Sequence, residues 1–250
     1  MIQMGDIYMK VMTFNIQHAF DYCNRVIDVD LFIRTVAEIN PDFCGLNEVR
    51  GEGPIDGYTD QTNAIADGLG CFRYFGESIK VGGTSPYGNA FLSKNGFISV
   101  ETIKIPDPIV KDETDEDGDL LHYESRSVIK AVVKHNDKEI CFLVTHMGLA
   151  QSERFNAVDT IVKIIDSLDI PVVLMGDFNS EPQDEVLKPL LDRLDDTDCY
   201  ALVKNKPTYP SYKPEIKIDY IFFRGLKCLN VTTLEDVISD HFPIIADFEV

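Results

Sequence analysis

Two carboxylates stand where apolar runs break or end, Glu48 in FCGLNEVR and Asp240 in VISDHFP. A buried carboxylate without partners is costly, so each needs a cation or hydrogen-bond donors, and a salt bridge would satisfy either one alone. Taken together, with Asn15 in TFNIQ beside them, they form a set of hard oxygen ligands of the kind that suits Mg²⁺ or Mn²⁺. The thiols and imidazoles lack the spacing of a zinc site. Asp177 follows the apolar run Val172 to Met175 in GDFNS, and Asn179 comes two residues later. In an extended chain that spacing turns both side chains to one face, where they can align and deprotonate a water. Asp219 opens the apolar run of KIDYIFF and is placed to orient an imidazole, as carboxylates do for catalytic histidines. His146 ends the run of VTHMGL, and His241 follows Asp240 directly. Asp240 and His241 would point to opposite sides of a strand, and converge only if the chain turns.

The elements that must carry these residues are mostly strands. Short apolar runs bounded by Gly, Pro, Asn or Asp predict strands near Tyr8 to Ile16, Phe43 to Glu48, Ala90 to Ser93, Ser127 to Lys134, Glu139 to His146 and Val172 to Asp177. Three more follow at Ile218 to Phe223, Lys227 to Val231 and Ile244 to Phe248. Helices are predicted over Val26 to Ile39, Asn63 to Leu69, Ser152 to Leu168 and Glu185 to Leu191. In the third, Phe155, Val158, Ile161, Val162, Ile165 and Leu168 have the spacing of one buried face, and Ser152 is placed to cap it. Val11 to Val49 and Cys141 to Asn179 each read as strand, helix, strand, with polar residues at the strand ends, where open sheets place ligands. Two such units packed sheet on sheet would bring Asn15, Glu48, His146, Asp177 and Asn179 to one rim. No low-complexity linker divides the 250 residues, so one domain is expected.

The net charge of −19 argues against a general polyanion binder. Apolar residues at 44 % and charged residues at 26 % are those of a folded globular protein. No run approaches the roughly 18 apolar residues of a membrane span. Met1 to Lys10 lacks a basic segment leading into an apolar one, so the expectation is an unexported, cytoplasmic protein, with a trimmed signal peptide as the alternative. Six cysteines are scattered without a CxxC pair. Three lie in strand-like stretches, Cys44, Cys141 and Cys228, which favours reduced core thiols over disulfides. Asp107 to Asp119 is strongly acidic and does not follow a Ca²⁺-loop spacing, so it reads as a solvated loop rather than a cation site, one that can screen the mouth of a site.

TFNIQ at 13–17, LNEV at 46–49, GNAFLSK at 88–94, VTHMGL at 144–149, GDFNSEP at 176–182, KIDYIFF at 217–223 and SDHFPI at 239–244 together resemble the endonuclease/exonuclease/phosphatase superfamily. They stand in the family's order and span nearly the whole chain. The resemblance implies an α/β (α+β) fold, a deoxyribonuclease I-like four-layer αββα sandwich, and divalent-metal hydrolysis of phosphoesters. It implies metal-site roles for Asn15, Glu48 and Asp240, water activation by Asp177, and phosphate or water fixation by Asn179. His241 is similar to the phosphate-contacting histidine, with Asp219 as its partner, and His146 to one that contacts phosphate and protonates the leaving group. Gln17 stands where some members have an acid, and GNAF offers Asn89 where others have a carboxylate paired with the first histidine. Arg126 in ESRSV precedes a strand as a family phosphate-binding arginine does, with a surface ion pair as its alternative.

The expected function is therefore a Mg²⁺- or Mn²⁺-dependent phosphodiesterase acting on a small or lipid-like phosphoester. Asn89, Arg126 and Tyr209 are expected to contact the substrate, and Phe20, Tyr22 and Tyr212 are further candidates for its walls. A nuclease and an inactive binding module are the alternatives. Few basic clusters exist beyond scattered Lys204, Lys206, Lys213 and Lys217, which disfavours long nucleic acid as the partner.

Overall fold

A computed structural model of the chain describes residues 8–115 and 117–250. Met1 to Ile7, most of the stretch read for an export signal, and Glu116 of the acidic stretch lie outside the described residues. The chain opens with β1 (Tyr8–Asn15), the short ribbon β2 (Phe20–Asp21) and β3 (Val26–Ile27), α1 (Val29–Ile39), β4 (Phe43–Arg50) and α2 (Gln61–Leu69). β5 (Phe72–Val81), β6 (Ser85–Ser93), β7 (Phe97–Lys104), β8 (Ser127–His135), β9 (Lys138–His146), α3 (Gln151–Asp166) and β10 (Val172–Asp177) follow. The last part is α4 (Lys188–Leu191), β11 (Asp195–Asp196), β12 (Asp219–Arg224), β13 (Lys227–Thr233) and β14 (Ile244–Glu249).

Two six-stranded sheets form, in the orders β13-β14-β1-β4-β6-β5 and β11-β12-β10-β9-β8-β7. Side chains of a strand alternate faces, and the apolar ones sort accordingly. Val11, Phe43, Phe142, Val144, Val173 and Met175 meet in the core between the sheets. Their neighbours Met12 and Cys44 pack under Phe32 and Val36 of α1 and Ile65 of α2. Cys141, Leu143, Val172 and Leu174 pack under Val158 and Ile161 of α3 and Leu190 of α4. The layers are therefore helix, sheet, sheet, helix. The sheets approach closely: a Cβ on Gly45 would lie 2.8 Å from the Met175 sulfur and 3.1 Å from Val144.

Several boundaries differ from the sequence reading. Val26 and Ile27 pair with β2, and Asp28 then caps α1 by accepting from the Leu31 amide at 2.9 Å. Ser152 does not cap α3. The Glu113 carboxylate does, accepting from the amides of Gln151 at 2.7 Å and Ser152 at 2.9 Å. Phe155 is 48 % exposed, because the buried stripe of α3 centres on Ala157, Val158, Ile161 and Ile165 and leaves it at the edge. Besides the two-residue strands β2, β3 and β11, the strands not anticipated are β5 and β7, outer edges of the two sheets, where half-exposed positions blur the apolar pattern. No helix among the described residues is long and apolar enough to cross a membrane.

Register sets the site. β1 and β4 run parallel with Asn15 opposite Asn47. β9 and β10 run parallel with His146 opposite Asp177, and β12 places Asp219 opposite Asp177 on the other side. His146, Asp177 and Asp219 thus lie in one row across three strands at their ends.

Candidate active site

The row opens into a cleft of about 960 Å³, lined by Glu48, Arg126, His146, Asp177, Asn179, Tyr209, Asp240 and His241 among others. Glu48 is aimed into it by a β-bulge: pairing of β4 with β6 slips between Leu46 and Val49, and Glu48 has φ 59°. Such a positive φ in a non-glycine residue is strained and tends to occur at functional positions. Tyr87 holds the carboxylate, donating to Oε2 at 2.8 Å, while Asn15 Nδ2 donates to Oε1 at 3.0 Å. Burial and the Glu48 charge push the Tyr87 phenol far up, so it stays a donor.

Asn15 also donates to Asp177 Oδ2 at 3.1 Å, and its Oδ1 accepts the Gln17 amide at 3.1 Å. Because a backbone N–H can only donate, the orientation of the Asn15 amide is fixed. It presents its nitrogen, not its oxygen, to the two carboxylates. Asn15 is 1 % exposed and acts as a donor between anions, which leaves the ligand oxygens expected of this corner to Glu48 and Asp240.

Asp177 is 2 % exposed. Asn179 reaches the same corner by a turn rather than by strand alternation: its φ is 46°, and its amide donates to Asp177 Oδ1 at 2.9 Å. Its Nδ2 donates to the Met147 carbonyl at 2.9 Å, and the Asn179 carbonyl accepts from Arg154 Nη1 at 2.8 Å. His241 Nδ1 contacts Asp219 Oδ2 at 2.9 Å and Nε2 lies 3.7 Å from Asp177 Oδ2. Asp240 and His241 sit in a bend, so both side chains reach the cleft. The ring of Tyr209 packs 4.7 Å from that of His241.

The electrostatics separate the roles. Burial pushes the Asp177 carboxyl up to about 7, with the Asp219 charge adding to the rise and His241 opposing it. Burial works against a charged His241, but the carboxylates of Asp219 and Asp177 outweigh it and hold the imidazole at about 10. His146 goes the other way, well below its ordinary value, through burial and the charges of Arg126 and His241. Both ring nitrogens of His146 face donors, Nδ1 the Arg126 Nη1 at 3.4 Å and Nε2 the Asn179 Nδ2 at 3.3 Å, and Nε2 also lies 3.5 Å from Asp177 Oδ2. His146 is therefore not a proton-carrying acid in the free protein; His241 is the charged imidazole. Asp240 is raised by burial and by the facing charge of Glu48. Asp177, Asp219 and His241 have ligand atoms within 4.8 Å of one another, but His241 Nδ1 is committed to Asp219 and its charge sits between the carboxylates. Glu48 and Asp240 line the same cleft, and neither forms an ion pair with a Lys or Arg among the described residues.

The remaining expected residues divide. Arg126 lines the cleft and also pairs with Glu124 at 3.2 Å. Asn89 is 1 % exposed behind the site, accepting from Asn47 Nδ2 at 2.8 Å. That Asn47 nitrogen also donates to the Thr145 carbonyl at 2.8 Å, and its oxygen accepts the Asp177 amide at 3.0 Å. Asn47 and Asn89 thus latch one sheet to the other under the catalytic row, and Asn89 is not among the cleft lining. Tyr22 and Tyr212 stack on each other 5.5 Å apart, and Arg25 covers Phe20 at 5.2 Å; none of these three aromatics lines the cleft. Arg50, Tyr58, Tyr87 and Arg154 line it without having been anticipated. Arg50, two residues past Glu48, was the one whose spacing could have revealed it.

A family model described as the endonuclease/exonuclease/phosphatase family matches residues 12–241. The chain belongs to that family. Its members are phosphoester hydrolases, nucleases and phosphatases among them. Nocturnin from Rattus norvegicus is 26 % identical over 149 residues, 46 % of this chain and 35 % of that protein, so the chain spans about a third of the length of the curated relatives it matches. An endonuclease/exonuclease/phosphatase from Beutenbergia cavernae superposes with a TM-score of 0.78 at 22 % identity, over 98 % of this chain and 72 % of that one. A mannosyl-6-phosphatase from Bacteroides thetaiotaomicron superposes with a TM-score of 0.73 at 15 % identity, over 97 % and 100 %. At such identities the two structures share the family's fold with this chain.

Proposed function

We propose that the protein is a divalent-metal-dependent phosphoester hydrolase that cleaves a small phosphodiester by attack of water on phosphorus. One observation carries the reading: Asp177, buried in a row between His146 and Asp219 and facing protonated His241, opens onto the cleft that also holds Glu48 and Asp240. Glu48 and Asp240 are hard oxygen donors whose charges oppose each other, a set that a hard divalent cation satisfies. Held there, Mg²⁺ or Mn²⁺ supplies Lewis-acid polarisation of a phosphoryl oxygen.

The side chains supply the rest. A carboxyl near 7 is a base of the right strength to take the proton of an attacking water at neutral pH, and Asp177 is that group. Asn179, fixed by Met147 and Arg154, orients the water or a phosphoryl oxygen beside it. Protonated His241, held by Asp219, and Arg126 offset the charge that develops on the phosphoryl oxygens. Neutral His146, set between Arg126 and Asn179, contributes a hydrogen bond beside Asp177.

The test is hydrolysis of bis(p-nitrophenyl) phosphate and p-nitrophenyl phosphate with Mg²⁺, Mn²⁺ or EDTA, for wild type, Asp240→Ala and Asp177→Asn. The monoester belongs in the assay because one structural relative is a sugar-monoester phosphatase. Diester turnover is expected to vanish with EDTA and to fall on the order of 10²-fold or more in Asp177→Asn. Turnover in EDTA, or an Asp177→Asn variant as fast as wild type, sinks the mechanism; faster monoester cleavage moves the substrate to monoesters.

A further inference from the structure

Arg50 ends β4, two residues beyond Glu48, and lines the same cleft. Its surroundings hold it in place. The guanidinium carbon lies 4.6 Å from the centroid of Tyr58, and Nη1 donates to the Gly57 carbonyl at 3.2 Å. The Arg50 amide donates to Gln61 Oε1 at 2.9 Å, and Gln61 Nε2 donates to the His18 carbonyl at 2.6 Å. Gln61, fully buried, thus pins the end of β4 and the His18 loop with one side chain.

What Arg50 lacks is an anion. Acidic residues outnumber Lys and Arg 42 to 23, yet Arg50 forms no ion pair among the described residues. The other cleft arginines do: Arg126 pairs with Glu124 at 3.2 Å, and Arg154 lies 3.7 Å from Asp184. The Nε of Arg50 is buried with no hydrogen-bond partner, as are those of Arg126 and Arg154, but Arg50 alone of the three also lacks a facing acid. A buried charged donor left unpaired carries a cost that a fold avoids unless a ligand supplies the partner. Of the two carboxylates nearest in sequence, Glu48 already accepts from Asn15 and Tyr87, and Glu52 is exposed and makes no ion pair with Arg50.

We propose that Arg50, stacked on Tyr58, binds a second anionic group of the substrate, a phosphate or a carboxylate set apart from the phosphoester that is cleaved. Stacking orients the planar guanidinium so that its N–H edge can engage such a group through two parallel bonds. A cleft of about 960 Å³ has room for a phosphorylated metabolite carrying both anions. The proposal deepens the phosphoester-hydrolase reading and rests on the same cleft being the substrate site.

Calorimetric titration tests it on Asp177→Asn protein with Mg²⁺, so that turnover does not intervene. The probes are glucose 6-phosphate, glucose 1,6-bisphosphate and 6-phosphogluconate, and the variants Arg50→Gln and Arg50→Lys are made in the same background. A second anion is expected to tighten binding roughly tenfold or more, as charge-assisted hydrogen bonds do. Arg50→Gln should abolish that gain and Arg50→Lys should retain part of it. Whether the bisphosphate or the phosphogluconate gains more identifies the anion. Equal binding of the three probes, or a gain that survives Arg50→Gln, overturns the proposal. Because only binding is read, a protein that binds this way but hydrolyses nothing refutes the hydrolase reading and leaves the subsite standing.

Discussion

Burial alone would strip the proton from His241, and the Asp219 and Asp177 carboxylates restore it. That balance has a kinetic signature. The rate should rise as Asp177 deprotonates near pH 7 and fall as His241 loses its proton near pH 10, giving a bell-shaped kcat/KM profile. Asp219→Asn removes the hydrogen-bonded charge that raises His241 while keeping the volume. Since that charge favours the imidazolium, its loss must lower the His241 pKa and move the alkaline limb toward neutrality by a unit or more. A pH–rate series on both proteins checks this; an alkaline limb that stays in place in Asp219→Asn would separate that limb from His241. At this scale the sequence carried which residues converge on the cleft, because most of them break or bound an apolar run. It did not carry the proton inventory. That His146 is neutral depends on its burial and on Arg126, and that Asn15 turns its nitrogen to the carboxylates depends on the turn that brings the Gln17 amide onto its oxygen.

Helix α3 shows how an element can depend on a loop far away in sequence. Its first amides are satisfied by Glu113, from the acidic stretch that reads as a solvated loop, and α3 in turn carries Arg154, which holds the Asn179 carbonyl. Glu113→Ala should cost about 1 kcal/mol, toward the lower end of the capping range because the side chain is partly exposed and screened. In a chain of this size that lowers Tm by about 2–4 °C in a thermal melt at pH 7. Burial acts to raise the Glu113 carboxyl, but its donors at Ser152 and Gln151 prevail and hold it below the ordinary value. A depressed carboxylate contributes stability above its unfolded pKa and loses it as the pH falls through the folded value, so the two melts should draw together as the pH is lowered through the acid range. A gap that does not narrow as the pH falls would assign the effect to packing instead of capping. The core strands and the four helices were legible because one face of each is apolar. β5 and β7 were not, since an edge strand has one partner and no need for a clean alternation, and neither was the Asn47–Asn89 latch, whose polar residues interrupt apolar patterns without marking what they bond.

The acidity of the whole molecule bears on what can reach the cleft. Binding of duplex DNA requires Lys and Arg free to displace counterions from phosphates, and here the cations are largely committed to acids. Of the scattered basic group noted in the sequence, Lys206 pairs with Glu235, Lys213 with Glu215 at 2.5 Å, and Lys217 is buried 3.5 Å from Asp196, while Lys204 donates to the Asp198 carbonyl at 2.6 Å. Arg126 and Arg154 are likewise matched by Glu124 and Asp184. With a net charge of −19, the field around the molecule repels a long polyanion, whereas a small anion that enters the cleft can be stabilised locally by the side chains that line it. Fluorescence anisotropy with a labelled duplex of about 20 base pairs, at about 0.15 M salt, should detect no binding tighter than about 10⁻⁴ M. Lowering the salt should gain little, because few counterions are released. A slope of log K against log salt of about −6 or steeper would mean that this protein presents a row of phosphate-contacting cations after all, and would transfer the substrate from small phosphoesters to nucleic acid.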